Sequence, residues 1–282
     1  PFESADFLKY LECIGKLEGA RRYQYRIAEL LTKLEGVGLL IPQGNGNDVF
    51  LGKRYYFLKE FTTLEQKGQL WLAEALGPTF IRSQYADITV QITGKNADGD
   101  VCAGTALVIS ENWLLTCAHV IQGMEVDTRQ IIGGKEYNLI ETIPHQSIDV
   151  GLIRVEQALP VLSSLAFRDP HLSETLYTLG YPRVPLARNA PLIMQRGEVT
   201  STELTLFCGV DVFLYSAIAR PGNSGGPIIS ATGHVLGIVT EELATESGGT
   251  FTSFYAGIMS STIQSAVLEL VPSLVIPIED YE

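Results

Sequence analysis

Ser224 lies in Ala219-Arg220-Pro221-Gly222-Asn223-Ser224-Gly225-Gly226-Pro227, a hydroxyl held among glycines with a proline on either side. Glycine loses more backbone entropy on folding than any other residue. It is kept where the main chain takes a conformation closed to other residues or lets another group come close. An acyl-transfer nucleophile needs both, with its hydroxyl presented clear of neighbours and main-chain N–H groups aimed where a negative oxygen develops. The same letters also make an ordinary polar turn. His119 closes the apolar run Trp113-Leu114-Leu115-Thr116-Cys117-Ala118, and Asp149 heads another, Val150-Gly151-Leu152-Ile153. Alone, the first reads as a core histidine and the second as the end of a turn. Together, in the order His, Asp, Ser, they supply a nucleophile, a base to take its proton and a carboxylate to orient that base.

The elements that must position these three are short strands. From residue 81 onward, runs rich in Val, Ile, Leu and Thr alternate with Gly, Asn and Asp turns. They cover Ile88–Thr93, Thr105–Ser110, Trp113–Thr116, Tyr137–Ile143, Gly151–Val155, Leu176–Leu179, Ile193–Ser201, Leu204–Cys208, Val212–Ser216, Ile228–Ser230, Val235–Thr240 and Phe251–Ile258. A dozen strands with few helical patterns between them indicate a mostly β domain, a sandwich or a pair of barrels, over residues 81–282. A final helix is expected over Ser261–Leu270, before an acidic tail.

Residues 1–80 differ in texture. Apolar residues three and four apart predict helices over Phe2–Glu18 and Arg21–Glu35. A strand follows at Val37–Ile41, a hairpin signal at Gly44-Asn45-Gly46, and a second strand at Val49–Leu58. Thr62 or Thr63 caps a last expected helix through Leu64, Leu70 and Trp71 to Gly77-Pro78. This small α/β order resembles a winged-helix domain, on element order alone.

Of the total charge of −12, residues 1–80 contribute none (ten basic minus ten acidic) and residues 81–282 all of it (ten minus twenty-two). An acidic surface of that size repels phosphate backbones, so nucleic acid is an unfavoured partner and could be met only through the first 80 residues. A protein regulator bound through those residues is the expectation. No apolar run reaches the ~18 residues that cross a bilayer. Cys13, Cys102, Cys117 and Cys208 lie far apart with no metal-site spacing, and no signal-like segment opens the chain, so a reducing cytoplasm is the expected location. His145, His171 and His234 have no ligand spacing, and His145 reads as a loop residue. The glycine pairs Gly133-Gly134 and Gly248-Gly249 lack the lysine of a phosphate-binding loop.

Thr116-Cys117-Ala118-His119, Ile148-Asp149-Val150-Gly151-Leu152-Ile153 and Gly222-Asn223-Ser224-Gly225-Gly226-Pro227 resemble the three signature segments of trypsin-like serine proteases, the last in its bacterial, HtrA-like form. Gly104-Thr105-Ala106, Leu179-Gly180-Tyr181-Pro182 and Gly237-Ile238-Val239 add to the resemblance, which spans residues 81–270. It implies two six-stranded antiparallel barrels of chymotrypsin type with a catalytic triad of His119, Asp149 and Ser224 between them. It also implies an oxyanion hole from the N–H groups of Gly222 and Ser224, with no metal or cofactor. The resemblance places Ile218, Ala219, Thr240, Glu241, Glu242 and Ser253 on the substrate-binding wall. An apolar Ile218 floor disfavours a buried cation, while Glu241 and Glu242 would attract one. Two departures stand out. Where secreted members join two cysteines, Cys102 here faces Val120. Asn223 replaces the aspartate that pairs with a new N-terminus, so activation by that ion pair is not expected. The reading is a serine endopeptidase, regulated or recruited by its first 80 residues and latent by family analogy. The alternatives are a catalytically silent binding protein on a protease fold, or a protease fused to a DNA-binding winged helix.

Overall fold

The computed structural model describes residues 2–16, 19–46, 52–57, 70–247 and 250–279. The chain divides into two compact units, Pro1–Gly77 and Pro78–Glu282.

In the first unit, strand β1 (Phe2–Glu3) leads into helix α1 (Ser4–Cys13), a single 3-10 turn (Ala20–Tyr23) and helix α2 (Gln24–Gly36). Strands β2 (Ile41–Asn45) and β3 (Lys53–Tyr56) follow, and the sheet runs in the order β1-β3-β2. Leu8 on α1 and Ile27 and Leu31 on α2 meet Leu40 and Tyr55 in a small core, each presented by the three- and four-residue spacing of its helix. Gly38, at φ +75°, ends α2, with the N–H of Leu39 returned to the carbonyl of Leu34. The Lys53-Arg54 pair is spent inside the unit, on Glu35 at 2.9 Å and Glu3 at 2.7 Å. Of the last helix expected from the sequence, the described part is a 3-10 turn (Leu70–Leu72) and one helical turn, α3 (Ala73–Leu76). Thr62, Thr63 and Leu64 lie outside the described residues.

Helix α4 (Pro78–Tyr85) opens the second unit. The sequence reading ended helix at Gly77-Pro78. Instead Gly77, at φ +73°, only breaks it, and Pro78 starts a new one, where a missing N–H costs nothing. Tyr85 is fully buried and donates its hydroxyl to the carbonyl of Gly233 at 2.6 Å.

The first half of this unit is a curled sheet of seven strands in the order β7-β4-β5-β6-β10-β9-β8. These are β4 (Thr89–Lys95), β5 (Val101–Ser110), β6 (Trp113–Thr116), β7 (Glu125–Val126), β8 (Arg129–Ile132), β9 (Lys135–Pro144) and β10 (Gly151–Val155). The short β7 and β8 carry no apolar alternation strong enough to show in the sequence. Gln130 on β8 reaches the far side of the sheet: its amide nitrogen donates to the Thr93 carbonyl on β4 and its amide oxygen accepts from the Thr93 N–H. A buried side chain thus closes this half where a strand ladder would otherwise run.

The second half is a closed barrel in the order β11-β12-β13-β16-β15-β14. Its strands are β11 (Thr175–Gly180), β12 (Ile193–Thr205), β13 (Asp211–Tyr215), β14 (Pro227–Ser230), β15 (Val235–Ser247) and β16 (Thr250–Met259). Leu176, Val199, Phe213, Ile228 and Leu236 fill it. The run expected over Ile193–Ser201 extends as one strand to Thr205, its register against β13 shifting twice, and most of the run expected over Leu204–Cys208 is instead the turn that follows it. Helix α5 (Ala118–Gln122) caps β6, and helix α6 (Ser260–Leu270) follows β16 as expected. Among the described residues no helix is long and apolar enough to cross a membrane.

Candidate active site

His119 and Asp149 meet because β6 and β10 are antiparallel neighbours, with Gly151 opposite Thr116. The chain leaving β6 turns at Cys117 into α5, and the chain entering β10 carries Asp149 just before it. Both Asp149 carboxylate oxygens face the His119 ring, at 2.9 and 2.8 Å from Nδ1, and Oδ1 also accepts the His119 main-chain N–H at 3.0 Å. A carboxylate only accepts, so Nδ1 carries the proton and Nε2 is the ring nitrogen with the lone pair. Thr240 Oγ1 donates to Asp149 Oδ2 at 2.5 Å. Burial pushes the Asp149 carboxyl up, but the hydrogen bonds and charge of His119, with the Thr240 hydroxyl, outweigh it and hold the group below the ordinary 3.8.

The loop that delivers Asp149 is built on His145. Its Nδ1 accepts the N–H groups of Ser147 and Ile148 at 3.2 and 3.0 Å, and its Nε2 lies 3.0 Å from Glu269 on α6. Two donors at Nδ1 place the proton on Nε2, which donates to the carboxylate. This histidine, read from the sequence as a loop residue, is buried and ties the Asp149 loop to the C-terminal helix.

Ser224 is set by a neighbour in the other half. Thr105 on β5 donates its N–H to the Ser224 carbonyl at 3.0 Å and its hydroxyl to the Gly222 carbonyl at 2.6 Å. The same hydroxyl accepts the Tyr181 N–H at 3.0 Å, and the Thr105 carbonyl accepts from Thr116 Oγ1 at 2.7 Å. A Cβ on Gly225, which sits at φ +82°, would collide with Thr116 and Thr105. The serine loop therefore lies against β5 and the end of β6, the strand that leads to His119. Two further bonds orient its peptides: Arg183 N–H to Pro221 carbonyl at 3.3 Å, and Gly226 N–H to Asn223 carbonyl at 2.9 Å. In a trans peptide the N–H points opposite the C=O. The N–H groups of Gly222 and Ser224 are thereby turned away from these partners, and among the described residues neither donates to any acceptor. Gly222, at φ +101°, is the residue this approach requires, since a Cβ there would lie 2.6 Å from the Tyr181 carbonyl. Asn223 is 3% exposed, and its Oδ1 is buried with no partner among the described residues.

Cys117 is a buried packing residue whose thiol lies 3.1 Å from the Val239 carbonyl. Its sulfur and the nearest donor atoms of His119 and Asp149 lie within 4.8 Å of one another. They would offer a metal a ligand set only by giving up the bonds just described. None of Cys13, Cys102, Cys117 and Cys208 forms a disulfide.

The residues expected on a substrate wall take different places. Ile218 is 43% exposed, whereas Ala219 packs on the core of the closed barrel. Thr240 turns its hydroxyl to Asp149, because the register of β15 against β16 shifts between Val239 and Glu242. That bulge leaves the backbone at 240–241 out of the ladder. Ser253 stands opposite Ala244 farther along the same hairpin. The side chains of Glu241 and Glu242 lie outside the described residues. Sequence reading passed over the work of Thr105, His145 and Arg183. Only Thr105 carried a signal, through its place after Gly104.

Residues 104–238 match the family model of the trypsin-like peptidase domain. A serine protease HTR4 of Bos taurus is 30% identical over 226 residues, covering 78% of this chain and 45% of its own length. A probable periplasmic serine endoprotease DegP-like of Halomonas elongata is 28% identical over 150 residues, covering 52% of this chain and 30% of its own length. The chain thus spans less than half the length of these relatives. Among solved structures, the active form of the Rv3671c protease from M. tuberculosis aligns with a TM-score of 0.56 at 20% identity, over 71% of this chain and 86% of that one. That likeness is one of fold.

Proposed function

Since the chain carries a trypsin-like peptidase domain of the HtrA type, we propose that it is a serine endopeptidase working through His119, Asp149 and Ser224. The observation that carries the reading is the Asp149 carboxylate on His119 Nδ1, beside a serine loop whose Gly222 and Ser224 N–H groups have no internal acceptor. In this mechanism Ser224 Oγ attacks the scissile carbonyl while His119 Nε2 takes its proton. His119 then hands that proton to the leaving amine, and Asp149 stabilises the imidazolium formed between the two transfers. The Gly222 and Ser224 N–H groups receive the oxyanion, a contact worth about 3 kcal/mol of barrier per donor. Water deacylates the ester by the same route in reverse. The unpaired backbone at 240–241 offers an edge along which the acyl side of an extended peptide adds as a strand. Replacing Ser224 with Ala is expected to abolish hydrolysis of unfolded protein substrates. Hydrolysis that survives the change would overturn the assignment.

The first unit is proposed as a protein-docking module of winged-helix type. The order β1-α1-α2-β2-β3 with its β1-β3-β2 sheet supports that type. An apolar groove of about 540 Å³ between Phe7, Tyr10, Leu31, Leu34, Leu39 and Phe57 supports protein rather than nucleic acid as partner, as do the internal ion pairs of Lys53 and Arg54. A gel shift at low salt that fades steeply as salt rises would contradict the choice of protein; no shift is expected.

A further inference from the structure

A cavity of about 740 Å³ opens beside Gly222, lined by residues that include Gln91, Cys102, Tyr181, Arg183 and Arg188. A separate cavity of about 290 Å³, lined by residues that include His119, Asp149, Thr240 and Leu243, shares none of its lining residues. The carbonyl to be attacked must sit between them, with its oxygen toward the Gly222 and Ser224 N–H groups. The smaller cavity is lined by Thr240 at the β15 bulge, the edge proposed above for the acyl side of a peptide. The larger one therefore receives the leaving-group side.

Its electrostatics run against the rest of the unit, where acidic residues outnumber basic ones by twelve over residues 81–282. Arg183 and Arg188 both line it, and among the described residues neither guanidinium has a hydrogen-bond or ion-pair partner. Asp100, the one carboxylate of the lining, pairs with neither. Two unsatisfied guanidinium forks in a concave site are made for a carboxylate, which each can bind through paired N–H donors. Arg183 is also tied by its main-chain N–H to the Pro221 carbonyl, in the same peptide as the Gly222 N–H, so its main chain is held beside the proposed oxyanion donors.

We propose that this cavity is a leaving-group subsite that selects substrates with an acidic side chain within the first three residues after the scissile bond. The proposal rests on the serine endopeptidase reading above. The test uses peptides identical on the acyl side, with Glu, Gln or Lys placed in turn at each of the first three leaving-group positions. At one of them kcat/KM is expected to fall in the order Glu, Gln, Lys, with about a tenfold span between the ends. The span should shrink as salt rises. It should vanish in Arg183→Gln/Arg188→Gln and reverse in Arg183→Glu/Arg188→Glu. Equal rates for the three peptides at all positions, or a preference that both double variants retain, would overturn the subsite while leaving the peptidase reading intact. Failure of the wild-type protein to cleave any peptide would overturn both.

Discussion

Thr105 carries more of the site's geometry than any residue outside the proposed triad. Its N–H, carbonyl and hydroxyl are all engaged, and three of its four bonds hold either the serine loop or the Tyr181 segment beneath Gly222. Replacing it with Val keeps shape and burial but strands the Gly222 carbonyl and the Tyr181 N–H. An unpaired buried group costs about 1–3 kcal/mol. Some of that cost should appear as a displaced oxyanion hole. Thr105→Val is thus expected to lower kcat by about 10- to 100-fold with KM nearly unchanged, and Thr105→Ser to restore most of it. Steady-state kinetics on the three proteins decides; Val and Ser variants of equal kcat would show that the hydroxyl does not position the loop. The three residues proposed as the triad can be named from the sequence because glycine-rich and apolar contexts are local. The contacts of Thr105 cannot, since its partners in the serine loop and the Tyr181 segment lie 76 to 119 residues away and only its place after Gly104 hints at them.

At the scale of elements, most strands were legible because their apolar residues are contiguous or alternate. The exceptions are instructive. Helix α4 was masked by a proline that starts it, and β7 and β8 are too short and polar to show. The seven-stranded half is closed by Gln130, a side-chain device that no periodicity encodes. The C-terminal segment is likewise secured by side chains. His234 Nε2 lies 3.1 Å from Glu279, and the Glu279 N–H donates to the Phe167 carbonyl at 2.8 Å. Burial pushes the His234 imidazole below its ordinary 6.5, against the opposing pull of Glu279. Below pH 6.5 the folded chain therefore binds fewer protons than the unfolded one. The contribution is complete above pH 6.5 and is lost as pH falls toward the lowered value. Urea denaturation across pH 5 to 7.5 should show stability rising with pH by at most about 1.4 kcal/mol per unit from this group. His234→Gln should flatten that rise; an unchanged slope would mean that His234 does not titrate as its burial dictates.

At the scale of the whole molecule, the two units divide the chemistry. The second brings His119 and Asp149 together beside the ends of β6 and β10 and lays a serine loop from the closed barrel against β5 and β6. The first pairs Lys53 and Arg54 with its own Glu35 and Glu3 and carries an apolar groove, which is why protein is the partner proposed for it. Of this division the sequence showed the charge asymmetry and the change of texture near residue 80. The groove depends on how α1, α2 and the chain at Leu39 and Phe57 come together, and that is a tertiary fact. The central claim is that Ser224 is a nucleophile activated by His119 and oriented by Asp149, and a fluorophosphonate followed by mass spectrometry of the intact protein and its peptides tests it most directly. The account predicts a single adduct on the peptide bearing Ser224, much slower in His119→Ala and absent in Ser224→Ala. An unlabelled wild-type protein, or an adduct on any other residue, would contradict it.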